Sequence, residues 1–177
     1  MALEILSILE KGIWFGFAAL GFAVLFNVPQ RTLFIIWLMG AAGGITKLIL
    51  MHFNTDIVIS SFAGATLVGI LSVYAAHNKH APPLVFSIPA VIPMVPGAFA
   101  YRMMLGLLKL SATAVTSESY SQTLAETASN GLKTLFVLMA LAVGVAIPML
   151  ISRKETIKKI RPKSDDQDPG DNLSPEN

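Results

Sequence analysis

The stretch Ser87-Ile88-Pro89-Ala90-Val91-Ile92-Pro93-Met94-Val95-Pro96-Gly97-Ala98-Phe99-Ala100-Tyr101-Arg102 is apolar enough to enter a membrane, yet it cannot form a regular helix there. A proline inside a helix lacks the N–H that would bond four residues back, so that carbonyl is freed. Pro89, Pro93 and Pro96 would free the carbonyls of Val85, Pro89 and Ile92. In hydrocarbon each lost partner costs several kcal/mol unless the backbone faces protein or water. Three losses this close together predict a broken span, with the break at Pro96-Gly97. A half-helix starting at Gly97 would then offer the N–H groups of Gly97, Ala98 and Phe99, with the positive end of the helix dipole, to an anion. Arg102 follows about one turn later with a guanidinium suited to bidentate carboxylate binding, and Tyr101 adds a hydroxyl.

The surrounding chain is membrane-like. Of its 177 residues 54% are hydrophobic and only 14% charged, far from the roughly 25% charged of soluble domains. Five stretches approach the ~20 apolar residues needed to cross a bilayer core. They run from Leu3 or Gly12 to Phe26, Leu33 to Met51, Ile57 to Ala76, Leu84 to Leu108 and Leu132 to Ile151. Asn27-Val28-Pro29, Asn54-Thr55-Asp56, Asn78 through Pro83 and Asn130-Gly131 separate them. The expected fold is an all-α polytopic membrane protein with about five transmembrane helices, the fourth proline-broken. Residues 1–152 form the membrane domain, and 153–177 form a basic then acidic tail without apolar periodicity, expected to be disordered. The first stretch lacks an early basic region and a small-residue cleavage site, so it does not read as a removable signal.

Lys and Arg near the span ends set orientation. Arg31, Lys79, Arg153, Lys154, Lys158, Lys159, Arg161 and Lys163 fall on one side, against Lys11, Lys109 and Lys133 on the other. This predicts an outside N-terminus and a cytoplasmic C-terminus. The lipid bilayer is the first partner this implies.

Other residues carry less. Lys47, within Gly43-Gly44-Ile45-Thr46-Lys47, is a cation inside a span; it reads equally well as a pathway residue, a snorkelling side chain, or the partner of Asp56, which could instead pair with Arg102. Gly12-x3-Gly16 and Gly40-x3-Gly44 signal close helix packing, ordinarily within one chain, although a homo-oligomer would use the same faces. Asn27 stands at a helix stop and could also line a pore. Ser111 to Gly131, rich in Ser and Thr, reads as a solvated connector more readily than as a surface helix built on Val115, Tyr120, Leu124 and Ala128. Pro148, which would free the Gly144 carbonyl, is a hinge or a packing kink. Zero cysteines exclude disulfides and thiol chemistry. His52, His77 and His80 form no ligand cluster, no nucleophile–base pair or nucleotide loop is visible, and no basic face suits nucleic acid. The reading is therefore a non-enzyme, with no metal or cofactor.

Gly21-Phe22-Ala23-x3-Asn27-Val28-Pro29-x-Arg31 and Ala90-Val91-Ile92-Pro93-Met94-Val95-Pro96-Gly97-x3-Tyr101 resemble the bacterial threonine/serine exporter family. The likeness spans about Gly12 to Ile151 and is nearest to the small component that matches the C-terminal half of fused exporters. It implies an inner-membrane exporter subunit working with a larger subunit that supplies the N-terminal half. It also implies a small carboxylate substrate: threonine and serine, or a dicarboxylate such as succinate. Candidate substrate-binding positions are Arg102, Tyr101, Pro93, Pro96, Gly97, Lys47 and Asn27, with Pro29 and Arg31 matching the family motif. A non-transporting assembly or scaffold subunit is the alternative.

Overall fold

The protein, seen in a computed structural model, is described over residues 2–79, 81–111 and 117–159. Helix α1 spans Ala2–Leu25; a 3-10 turn at Gln30–Thr32 leads into α2, Leu33–His52. Helix α3 is Ile57–Lys79 and α4 is Pro83–Val91, running on as a 3-10 turn at Ile92–Met94. Helix α5 is Gly97–Ser111 and α6 is Ser117–Lys159. Helices α1, α2, α3 and α6 are each long and apolar enough to cross a membrane. The pair α4–α5, bent by 57° at its break, passes the same length and composition test when taken together, which gives four or five crossings. The chain is thus an all-α polytopic membrane protein. Its first helix begins at Ala2 and is long enough to span from Glu4 to Leu25, in keeping with the earlier of the two expected starts, Leu3, over Gly12.

Two asparagines end two of the helices. Asn27 has φ 54° and Asn54 has φ 58°, the left-handed region that asparagine tolerates better than other side-chain-bearing residues. After α1, the Asn27 N–H donates to the Val24 carbonyl and the Val28 N–H to that of Ala23 (3.0 Å each). After α2, Asn54 donates to Met51 and Thr55 to Leu50 (3.1 Å each). Both are Schellman caps, which satisfy the last carbonyls of a helix. They mark opposite ends of the bundle, the Asn27 end and the Asn54 end.

Glycines set the helix spacing. A Cβ built on Gly40 would lie 2.5 Å from the Ala19 Cβ, and one on Gly44 2.5 Å from the Phe15 ring, so the Gly40-x3-Gly44 face packs α2 on α1. Gly16 meets Trp37 and Gly12 meets Ile45 across the same interface. On the other side of α2, Gly43 and Gly64 bring the α3 backbone close. Helix α3 packs parallel to α6: Gly144 faces Ala65 and the Phe62 carbonyl, and Gly69 faces Val145 and Pro148. The carbonyl of Gly144, freed by Pro148, lies 3.2 Å from where a Gly69 Cβ would be, so Pro148 is a packing kink fitted to Gly69. Helix α4 is enclosed by α1, α2 and α3, with Phe86, Ser87, Pro89 and Ala90 buried.

Helix α6 differs from expectation at both ends. Asn130-Gly131 does not break it: Ser117 to Lys159 is one helix of 43 residues, about 65 Å at 1.5 Å per residue, twice a bilayer core. The Ser/Thr-rich segment is therefore helical from Ser117, not a loose connector; Val115 lies outside the described residues. Its cause is packing against α5, where Thr127 fills the gap at Gly106 and Met103 fills that at Gly131. Because residue 144 lies level with Ala65, the first turns of α6 and the end of α5 project roughly 20 Å past the Asn54 end. At the other end the helix continues beyond Ile151 through the basic run to Lys159; the acidic end of the tail lies outside the described residues.

Candidate functional site

The break is where the sequence places it. Val95 is extended (φ −60°, ψ 133°), between the 3-10 turn and the start of α5 at Gly97. The Ile92 carbonyl, which Pro96 cannot reach as a donor, accepts the Val95 N–H at 3.0 Å. In an unbroken helix the Met94 carbonyl would accept the Ala98 N–H. Extension at Val95-Pro96 separates that pair. The Met94 carbonyl accepts instead from Lys47: Nζ donates to it at 2.8 Å, across a sequence distance of 47 residues. Lys47 is 7% exposed, and among the described residues it is the only buried side chain that can carry a charge.

Small residues make this contact possible. A Cβ on Gly43 would come within 2.6 Å of Val68 Cγ2 and 3.3 Å of Met94 Cε. One on Gly64 would lie 2.7 Å from the Gly43 carbonyl oxygen, 3.2 Å from Met94 Sδ and 3.5 Å from Lys47 Cβ. The broken turn is thus wedged at the α2–α3 crossing, and Lys47 lies along the wedge. Ser60 and Ser61 precede Gly64 by about one turn on the same face of α3. The Ser60 hydroxyl donates to the Asp56 carbonyl at 2.9 Å, whereas Ser61 Oγ is fully buried with no hydrogen-bond partner. Ser87 Oγ on α4 is buried and unpartnered in the same way. A single buried serine carries no pattern in a sequence; only its neighbours expose it.

The other candidates fall elsewhere. Pro93 sits half-buried in the 3-10 turn and Pro96 is buried at the break. Gly97 is exposed with open space where a side chain would project and a φ outside the left-handed region, so nothing local requires glycine. Of the three N–H groups expected for an anion, that of Gly97 bonds the Val95 carbonyl (2.9 Å) and that of Phe99 bonds the Pro96 carbonyl (3.1 Å). The half-helix therefore offers fewer donors than the sequence suggests, because the turn closes on itself.

Tyr101 and Arg102 are exposed on α5. Arg102 lines a polar cavity of about 170 Å³ with Lys109, Glu126, Thr127 and Asn130, between α5 and α6 at the projecting end. It lies at the rim and not beside Lys47. Asn27 is at the opposite end, in its cap. Asp56 accepts the Val58 N–H at 2.8 Å, capping α3, while Lys47 turns to Met94. A second, apolar groove of about 500 Å³ separates α4 from α6, lined by residues such as Ile88, Val91, Val95, Leu138 and Leu141. No group of His, Asp and Glu able to hold a metal occurs among the described residues.

The chain is a multi-pass helical bundle with one apolar helix pair broken inside it and the freed carbonyl held by a buried lysine, an arrangement that transport proteins with discontinuous helices share. The chain belongs to the threonine/serine exporter family, ThrE, whose model matches residues 11–151. It is 32% identical over 146 residues to an uncharacterized protein of Haemophilus influenzae, a match covering 82% of this chain and 48% of that protein. The chain therefore spans about half the length of the curated relative it matches. No solved structure matches it.

Proposed function

We propose that this chain is one half of a gradient-driven exporter of small carboxylate metabolites, threonine and serine or a dicarboxylate such as succinate. It would sit in the bacterial inner membrane with its N-terminus outside and its C-terminus in the cytoplasm, as the Lys and Arg bias favours. A larger subunit would supply what the chain lacks relative to its longer relative. The observation that carries the reading is the Lys47 ammonium, buried in the bundle and bound to the carbonyl that the proline break frees. Irregular backbone inside a bilayer is tolerated where it is enclosed by protein or lines a wet path, and transporters place their sites there. Arg102, in the polar cavity at the projecting end, which this topology places outside, would hold the substrate carboxylate at the exit of the path.

Transport of radiolabelled threonine and succinate in vesicles holding this chain and its partner subunit tests the proposal. Arg102→Gln should slow carboxylate transport while leaving the fold intact. Unchanged transport would reject Arg102, and no transport by the unaltered pair would reject the exporter reading. The scaffold alternative draws on the glycine faces. Gly12, Gly16, Gly40 and Gly44 pack α1 on α2 within this chain, which favours the exporter reading over one that needs those faces for a partner.

A further inference from the structure

Lys47 is placed where a transporter of broken-helix design would hold a coupling cation. Carbonyls at the C-terminal end of an interrupted helix coordinate such ions in proteins of that design. Here the carbonyl in that position, Met94, is taken by a covalently tethered ammonium at 2.8 Å. An ammonium has three donors, and one acceptor is in place.

The charges around it offer nothing equivalent. On α2, His52 is exposed at the helix end; on α3, Asp56 is exposed and caps its own helix, and Tyr74, His77 and Lys79 lie exposed toward the opposite end. On α1, Glu4, Glu10 and Lys11 are exposed. Helix α4 and the 3-10 turn contain no ionisable side chain, and Tyr101, Arg102 and Lys109 of α5 are exposed. A proton carried through the described part of this bundle on a side chain thus has one buried place to ride.

We infer that Lys47 is the proton carrier of the exporter and that its ammonium competes with the cationic end of the substrate for the Met94 carbonyl. This rests on the exporter reading above. In the outward-open state the neutral Lys47 amine takes one proton from water and its ammonium bonds Met94, closing the seat. In the inward-open state the ammonium gives that proton to cytoplasmic water and the neutral side chain yields the carbonyl to a substrate ammonium. One proton enters for each substrate that leaves, and no other reactant is needed. Mutual exclusion at a single acceptor makes the exchange obligatory. Substrates with a primary ammonium and a carboxylate fit this seat, whereas a dicarboxylate has nothing to compete with Lys47.

Inverted vesicles of membranes containing the full exporter test this with radiolabelled threonine in two assays. One is uptake driven by an acidic interior; the other is threonine–threonine exchange without a gradient. The unaltered protein should show both. Lys47→Met leaves the seat open, so exchange should persist, though reduced, while stimulation by the gradient disappears. Lys47→Arg keeps a charge and a donor for Met94 but does not release its proton near neutral pH, so both activities should be lost. A lysine that only ties down the broken turn predicts the reverse order, with Arg rescuing and Met failing in both assays. That order, or gradient stimulation surviving in Lys47→Met, overturns the assignment and leaves the exporter reading standing. Absence of exchange in the unaltered protein overturns both.

Discussion

Lys47 and Arg102 are the two cations that the hydropathy pattern places inside spans, and the fold gives them opposite surroundings. Arg102 is exposed at the projecting end, sharing a polar cavity with Lys109, Glu126 and Asn130. Lys47 is buried among glycines and bonded to backbone at a helix break. Sequence alone favours Arg102, because it follows the proline-glycine motif on one helix. Burial reverses the weight. A cation at a rim can reach water and screening ions, whereas a cation in the bundle persists only where a specific partner is built for it.

The sharpest way to break this comparison is to move the glycines that bring Lys47 to Met94. Gly43→Val or Gly64→Val forces side-chain atoms into contacts already under 3 Å. Overpacking of this kind should cost about 1–3 kcal/mol or more, read as a lowered thermal midpoint in detergent. Lys47→Met should come next. It leaves the Met94 carbonyl buried without a donor, a loss of about 1–3 kcal/mol that Lys47→Arg should partly restore. Asn27→Ala, which puts alanine in the left-handed region at the α1 cap, should cost about 1 kcal/mol in the same assay. Arg102→Gln should shift the midpoint by less than about 0.5 kcal/mol, since an exposed side chain is replaced, while slowing transport. Smallest of all, Gly97→Ala meets open space at an ordinary φ and should be within about 0.5 kcal/mol of neutral. A severe loss there would show that the motif glycine serves a moving part that a single state does not reveal.

The fold was largely legible because membranes impose simple rules. Apolar length gave the crossings, and the freed carbonyls of Pro89, Pro93 and Pro96 gave the break. The run of hydroxyl residues before Leu132 misled, since its helix is held by tertiary contacts at Gly106 and Gly131 that composition does not record. The site was only half legible. Sequence marks Lys47 as costly and Met94 as lying at the break. The pairing of the two depends on the α2–α3 crossing angle and on glycines whose use in packing could not be assigned to a particular neighbour. For the same reason the expected donors of Gly97 and Phe99 proved to be engaged locally.

The central claim is that the break beside Met94 is a wet, substrate-accessible point within the bilayer. The chain contains no cysteine, so Ala98→Cys, one residue beyond Gly97, reports on that point alone, with Ile70→Cys on exposed α3 surface as the lipid-facing reference. In vesicles of the full exporter, a hydrophilic, membrane-impermeant maleimide should label position 98 well above position 70, and threonine should slow the labelling. Labelling at 98 no faster than at 70, or untouched by threonine, would contradict the account.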